Sequence, residues 1–177
     1  MKATQVRPTG VERSFGADEI IVTKTDPRGI ITYANEVFLR TSALTEDEAV
    51  GQPHNLIRHP DMPRAIFKLL WDTLAEREEI FAYVVNLASD GAHYWVLAHV
   101  TPSFTPDGRL AGYHSNRRLP EPAAVHEIGR IYARIRSAEQ QGSGRSAVDA
   151  GWQALLGELG DRTYDEFVWG LTNGARR

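Results

Sequence analysis

The sequence predicts an α+β fold: a five-stranded antiparallel sheet with short helices on one face, followed by a C-terminal helical extension. Three observations carry that reading. Two β-branched runs flank the turn Asp26-Pro27-Arg28-Gly29 near the start of the chain. Three further strand-like runs, separated by the turns Ser89-Asp90-Gly91 and Pro106-Asp107-Gly108, lie in the middle. The stretch between the two groups, and everything after Pro120, follows helical spacing or short capped turns instead of alternation.

The elements follow in order. Residues 1–17 carry no sustained period and read as a mobile arm or cap. Ile20-Ile21-Val22-Thr23-Lys24-Thr25 and Ile30-Ile31-Thr32-Tyr33 form a hairpin, because proline presets φ in the intervening turn and glycine accepts φ > 0. Asn35 can cap a short helix over Glu36-Val37-Phe38-Leu39. Thr45-Glu46-Asp47-Glu48 fits a capping box, with Gly51 and Pro53 ending that second helix. Pro63 suits a first helical turn, and Ile66, Phe67, Leu70, Trp71 and Leu74 then recur on one helical face. Residues 80–87, 94–104 and 110–117 are the three later strands. Asn86 interrupts an apolar strand, so its amide needs a partner if it is buried.

After Pro120, the residues Val125, Ile128, Ile131, Tyr132 and Ile135 define an amphipathic helix. Gln140-Gln141-Gly142-Ser143-Gly144 reads as a flexible linker. Short helices are expected at 152–159 and 164–171, the latter presenting exposed aromatics as a docking helix would. The domain division is therefore an arm at 1–17, a core at 18–119, an amphipathic helix at 120–140, and a linker with a short helical tail at 141–177.

Composition narrows the function classes. The 177 residues include 42% hydrophobic and 24% charged types, as in a soluble globular protein. With no cysteine there is no disulfide, thiolate metal site, thiol nucleophile or covalent haem link. A net charge of −3 gives no electrostatic case for nucleic acid. No apolar run reaches the ~20 residues of a membrane span, and no secretory h-region opens the chain, so a cytoplasmic protein without membrane insertion is expected. No Ser-His-Asp order, phosphate loop or metal-ligand spacing marks a catalytic or metal site, and an enzyme is not expected.

The densest chemistry lies in Pro53-His54-Asn55-Leu56-Ile57-Arg58-His59-Pro60-Asp61-Met62-Pro63. Cationic donors on a proline-stiffened loop suit an anionic ligand. The same residues also suit a self-contained corner, with Asp61 capping the next helix and Arg58 paired to a surface carboxylate.

At these residues the chain resembles the PAS sensor domains, over roughly residues 15–120. Asp26-x-x-Gly29-Ile30-Ile31-x-Tyr33-Ala34-Asn35-x-x-Phe38 looks like the PAS opening. Gly51-Gln52-Pro53-His54-Asn55, Arg58-His59-Pro60-Asp61-Met62-Pro63, Asp90-Gly91-x-His93-Tyr94-Trp95-Val96 and Gly112-Tyr113 are similar to the aerotaxis-receptor subgroup, whose members bind FAD and report redox state to the chemotaxis machinery. The resemblance implies a PAS fold and non-covalent FAD. It assigns Arg58, His59 and Asp61 to the cofactor loop, and Asn35, Phe67, Trp71 and Asn86 to the pocket or its surroundings. Arginine offers a fork of donors for a diphosphate or ring carbonyl, and asparagine can both donate and accept.

The sequence departs from the subgroup at Glu79-Ile80-Phe81-Ala82-Tyr83, where flavin-binding members carry a Trp and a small-residue pair. Either Phe81 or Tyr83 supplies the aromatic contact from a shifted position, or the pocket holds something other than FAD. The chain continues into neither membrane spans nor a coiled coil, a pattern similar to split energy-taxis systems. These imply a membrane chemotaxis transducer, or another signalling protein, as partner, with a homodimer left open. Two alternatives share the fold: a haem b gas sensor ligated by one histidine, and a cofactor-free dimerisation or scaffolding module.

Overall fold

A computed structural model describes residues 6–174. Strands β1 (Ile21–Thr25), β2 (Ile31–Ala34), β3 (Ile80–Leu87), β4 (His93–Phe104) and β5 (Leu110–Arg118) form one sheet in the order β2-β1-β5-β4-β3, with every neighbouring pair antiparallel. The first hairpin is thus joined edge to edge with the three-stranded meander through β1 and β5. That junction demands close approach. A Cβ on Gly112 would lie 1.9 Å from the Thr25 carbonyl oxygen, so only glycine fits there.

Between the two strand groups run α1 (Glu36–Ser42), α2 (Glu46–Ala49), a 3-10 turn (His54–Ile57) and α3 (Arg64–Ala75). Their starts follow the local chemistry. The Phe38 amide donates to Asn35 Oδ1 at 3.1 Å, and Thr45 and Glu48 form the reciprocal capping box.

Period-2 alternation assigns the faces of the sheet. Ala82, Val84 and Asn86 on β3 stand beside Ala98, Val96 and Tyr94 on β4, and Arg117 and Ser115 on β5 beside Ile21 and Thr23 on β1. This inner face packs on Phe38, Ala49 and Ile57 of the first helices. The opposite face of β3 and β4 carries Phe81, Tyr83 and Val85 with Leu97 and Trp95. A second core lies there, built from α4 (Pro122–Glu139), α5 (Gly144–Leu159) and α6 (Tyr164–Gly174).

Two expectations for the C-terminal part change. Helix α5 begins at Gly144, well before residue 152. It takes in residues 145–151, between the expected linker at 140–144 and the expected helix at 152–159, and its small residues Ala147 and Gly151 are buried, Gly151 against Glu139 of α4. The aromatics of α6 are not a free docking face. Tyr164, Phe167 and Val168 are buried, Thr172 Oγ1 lies 2.7 Å from Tyr83 Oη, and Trp169 alone of the aromatics projects outward. The tail covers the sheet because β3 offers it a second apolar face.

The N-terminal residues that are described lie along the start of β4. Glu12 bridges His93 in parallel, the Thr9 amide donates to the Gly91 carbonyl, and Arg13 pairs with Asp90. Residues 1–5 of the expected arm, and 175–177 of the tail, lie outside the described residues. The segment at 51–58 joins the two outermost strands. The Ile31 amide donates to the Gln52 carbonyl at 2.9 Å beside β2, and Arg58 bridges Asn86 on β3.

Candidate functional site

A cavity of about 270 Å3 opens between the inner face of the sheet and α3. Helical spacing aims Phe67, Leu70, Trp71 and Leu74 at it from α3, and strand alternation aims Val84, Asn86, Ala98, Ser115 and Arg117 at it from the sheet. The 53–58 loop contributes His54 and Arg58 to the wall.

Arg117 dominates the electrostatics. It is 4% exposed, and no carboxylate among the described residues pairs with it. Its Nη2 donates to Thr23 Oγ1 at 2.8 Å and to His54 Nε2 at 2.6 Å. Burial lowers its pKa to about 10, which still leaves it cationic at neutral pH. His54 answers that charge by staying neutral: burial and the neighbouring guanidinium push its pKa down to about 3. A neutral imidazole accepting at Nε2 carries its proton on Nδ1.

Three buried polar atoms in this wall make no hydrogen bond of ordinary geometry among the described residues: Arg117 Nη1, Ser115 Oγ and Asn86 Nδ2, the last standing against the Tyr94 hydroxyl. Each unmet group costs about 1–3 kcal/mol in a folded interior. Two are pure donors and the third can donate, so the cavity suits a ligand that presents acceptors or negative charge. The flavin ring implied by the family resemblance, with its row of carbonyl and ring-nitrogen acceptors, fits this donor set.

Of the residues expected at the site, four meet at the cavity. Arg58 lies at the rim with its guanidinium 4.1 Å above the Phe67 ring, and burial, then the charge of Arg64, lowers its pKa. Trp71 stands at the mouth, 47% exposed and edge-on to Tyr113 at 5.4 Å. Asn86 is a wall residue.

The other three sit elsewhere. Asn35 ties α1 to β1, accepting from the Val22 amide at 3.0 Å and donating to the Ile20 carbonyl at 2.8 Å. His59 is buried behind the loop, its Nδ1 accepting from the Asp61 amide at 3.0 Å, and its ring meets His93 edge-on at 5.9 Å. Asp61 faces outward to Arg136 at 2.6 Å. Asp61 does not cap α3 either. The Arg64 and Ala65 amides donate instead to Glu139 Oε2 and Oε1, at 3.0 and 2.9 Å, from the end of α4.

Phe81 does not reach the cavity. Its ring stacks on His99 at 4.1 Å and tilts against Trp169 at 5.3 Å, and Tyr83 shares that outer face, so the inner wall at this position is Ala82 and Val84. Arg117, His54 and Ser115 are site residues given no role from the sequence, although His54 lies within the loop motif itself. A signal for two of them exists: alternation along β5 puts Tyr113, Ser115 and Arg117 on one face, an unusually polar inner face for a sheet strand.

His54 is the histidine that lines the cavity, and its Nε2 is already engaged by Arg117 and Thr23. No group of three or more His, Asp or Glu suited to a metal ion occurs among the described residues. No helix among them is long and apolar enough to cross a membrane.

Comparison with known proteins agrees with this geometry. The family model described as "PAS fold" matches residues 19–114. The aerotaxis receptor of Escherichia coli is 37% identical over 145 residues, which cover 80% of this chain and 28% of that protein. The nitrogen fixation regulatory protein of Klebsiella pneumoniae is 32% identical over 99 residues, 56% of this chain and 20% of that protein. The chain thus spans about a quarter of the length of these relatives. Among solved structures, a PAS domain from Colwellia psychrerythraea superposes with a TM-score of 0.52 at 19% identity, covering 56% of this chain and 84% of that one. A light-oxygen-voltage domain studied with a flavin analogue superposes with a TM-score of 0.53 at 16% identity, covering 70% and 87%.

Proposed function

Because this chain belongs to the PAS family, we propose that its cavity binds the flavin of FAD non-covalently and that the protein is a redox or energy-taxis sensor, without catalytic turnover. The observation that carries this reading is the buried Arg117, paired with no carboxylate among the described residues, beside the donors Ser115 Oγ and Asn86 Nδ2 on the same wall. The similarity to an aerotaxis receptor supports the same reading. Flavin supplies reversible electron uptake, with negative charge gathering on the ring when it is reduced.

This chain's residues can do the rest. Arg117 offers positive charge that neutral His54 leaves undiminished. Asn86 offers an amide donor, and Ser115 a hydroxyl that donates or accepts. Phe67 and Leu70 shield the wall from water. Asn86 also marks the route outward. It lies on β3, whose other face carries Tyr83. The Tyr83 carbonyl accepts from Tyr132 Oη at 2.6 Å on α4, and its hydroxyl meets Thr172 on α6. A change in hydrogen bonding at Asn86 thus acts on a strand that holds both helices. We infer that this outer helical layer is what a chemotaxis transducer in the cytoplasm reads.

Freshly purified protein, or protein incubated with FAD, is expected to show flavin absorption that dithionite bleaches. Arg117→Met is expected to retain less flavin and to move its midpoint potential in the negative direction, since the charge favouring the reduced ring is gone. A wild-type preparation that takes up no flavin under these conditions would falsify the reading.

A further inference from the structure

Arg58 lines a second cleft, of about 610 Å3, besides the sensor cavity. One wall is the 58–64 stretch, with Arg58 and Arg64. The other is the junction of α4 and α5, with Arg136, Glu139 and the small residues Gly142, Ser143 and Gly144. The carboxylates nearby are already committed. Asp61 is held by Arg136 at 2.6 Å, and both oxygens of Glu139 accept from the Arg64 and Ala65 amides. Arg58 and Arg64 therefore face one cleft without an ion pair among the described residues. Glu139 on the same wall offsets part of their charge, but Arg64 acts on Arg58 more strongly, and the pKa of Arg58 is lowered, after burial, by that like charge. Two like charges held together in a cleft are an arrangement that an anion relieves, and guanidinium forks match phosphate oxygens.

Resting on the flavin reading above, we propose that this cleft receives the diphosphate of FAD, with Arg58 and Arg64 as its clamp and the α4–α5 junction as its outer wall. The ring in the first cavity and the diphosphate in the second would meet at the one residue that lines both. The C-terminal helices then complete the cofactor site, and the protein selects a dinucleotide over a bare flavin.

The test is titration of wild type and Arg64→Met with riboflavin, FMN, FAD and ADP, followed by flavin fluorescence and equilibrium dialysis. Arg64 is exposed at the start of α3, and a circular dichroism melt checks that the variant folds. Wild type is expected to bind FAD at least ~10-fold tighter than riboflavin, in line with one or more charge-assisted bonds to phosphate. Arg64→Met is expected to lose most of that preference while riboflavin binding stays within about two-fold, a difference well under 1 kcal/mol. ADP is expected to weaken FAD binding and leave riboflavin binding unchanged. Flavins bound with equal affinity, or an FAD preference that survives Arg64→Met, would overturn the diphosphate cleft and leave the flavin cavity standing. Binding of no flavin at all would overturn both.

Discussion

His54 shows how one side chain can be set by its neighbour. Buried against Arg117, it is neutral in the folded protein down to a pKa of about 3, whereas in the unfolded chain it titrates near 6.5. Its folded pKa is depressed, so the unfolded state binds the extra proton as pH falls. Its contribution to stability is complete above pH 6.5 and is lost progressively between 6.5 and about 3. His59, lowered by burial, acts with the same sign. Urea unfolding measured from pH 6.5 down to about 4.5, above the main carboxylate range, is expected to show His54→Gln with a shallower loss than wild type. The difference should approach one proton, about 1.4 kcal/mol per pH unit. Identical slopes would show that His54 is not held neutral. At this scale the sequence was only partly legible. Arg58, Phe67, Trp71 and Asn86 announce themselves through residue type and motif. Arg117 does not, because its role depends on which face of β5 points inward and on what stands across from it on β1.

Helix α3 carries much of the cavity wall, and its start is secured from far along the chain. Two of its free amides end on Glu139, more than seventy residues later, and Glu139 fits only because Gly151 has no side chain: a Cβ there would lie 2.5 Å from its Oε1. Removing a cap of this kind costs about 0.5–2 kcal/mol. Glu139→Ala is therefore expected to destabilise by about that amount and to speed amide exchange in the first turn of α3, read by hydrogen exchange with mass spectrometry. Unchanged protection at 64–67 would argue against the cap. Strands, turns and local caps are legible because each rests on neighbours within a few residues, as with Asn35 and Thr45. The Glu139 cap is not, since no local pattern links residues 65 and 139. The same reason hides the first half of α5: Gly144 ends a stretch that reads as a linker, and the fit of Gly151 shows only when α4 is laid beside it.

On the scale of the whole molecule, one sheet serves as the common wall of two cores, and β3 is buried on both faces. The family match ends at residue 114, but the folding unit does not. A chain cut after Leu119 would lose α4, α5 and α6, expose Tyr83, Val85 and Trp95, and leave α3 uncapped. It is expected to self-associate, as light scattering and sedimentation would reveal. A monomeric, cooperatively melting fragment would show the outer layer to be dispensable. The near-continuous apolar run along β3 is the sequence's signal of this second cover, although no local pattern says which segment supplies it.

The segment at 51–58, through Gln52 on β2 and Arg58 on β3, has one more consequence. A sheet ordinarily ends in two rows of idle amides and carbonyls, each an invitation to a strand from another molecule. Here a single loop clasps both rims, and at those points each invitation is already answered from within. A newcomer extending the sheet at those points would first have to prise the loop off the cavity it frames, so recruitment by strand addition and retention of the cavity's contents oppose each other.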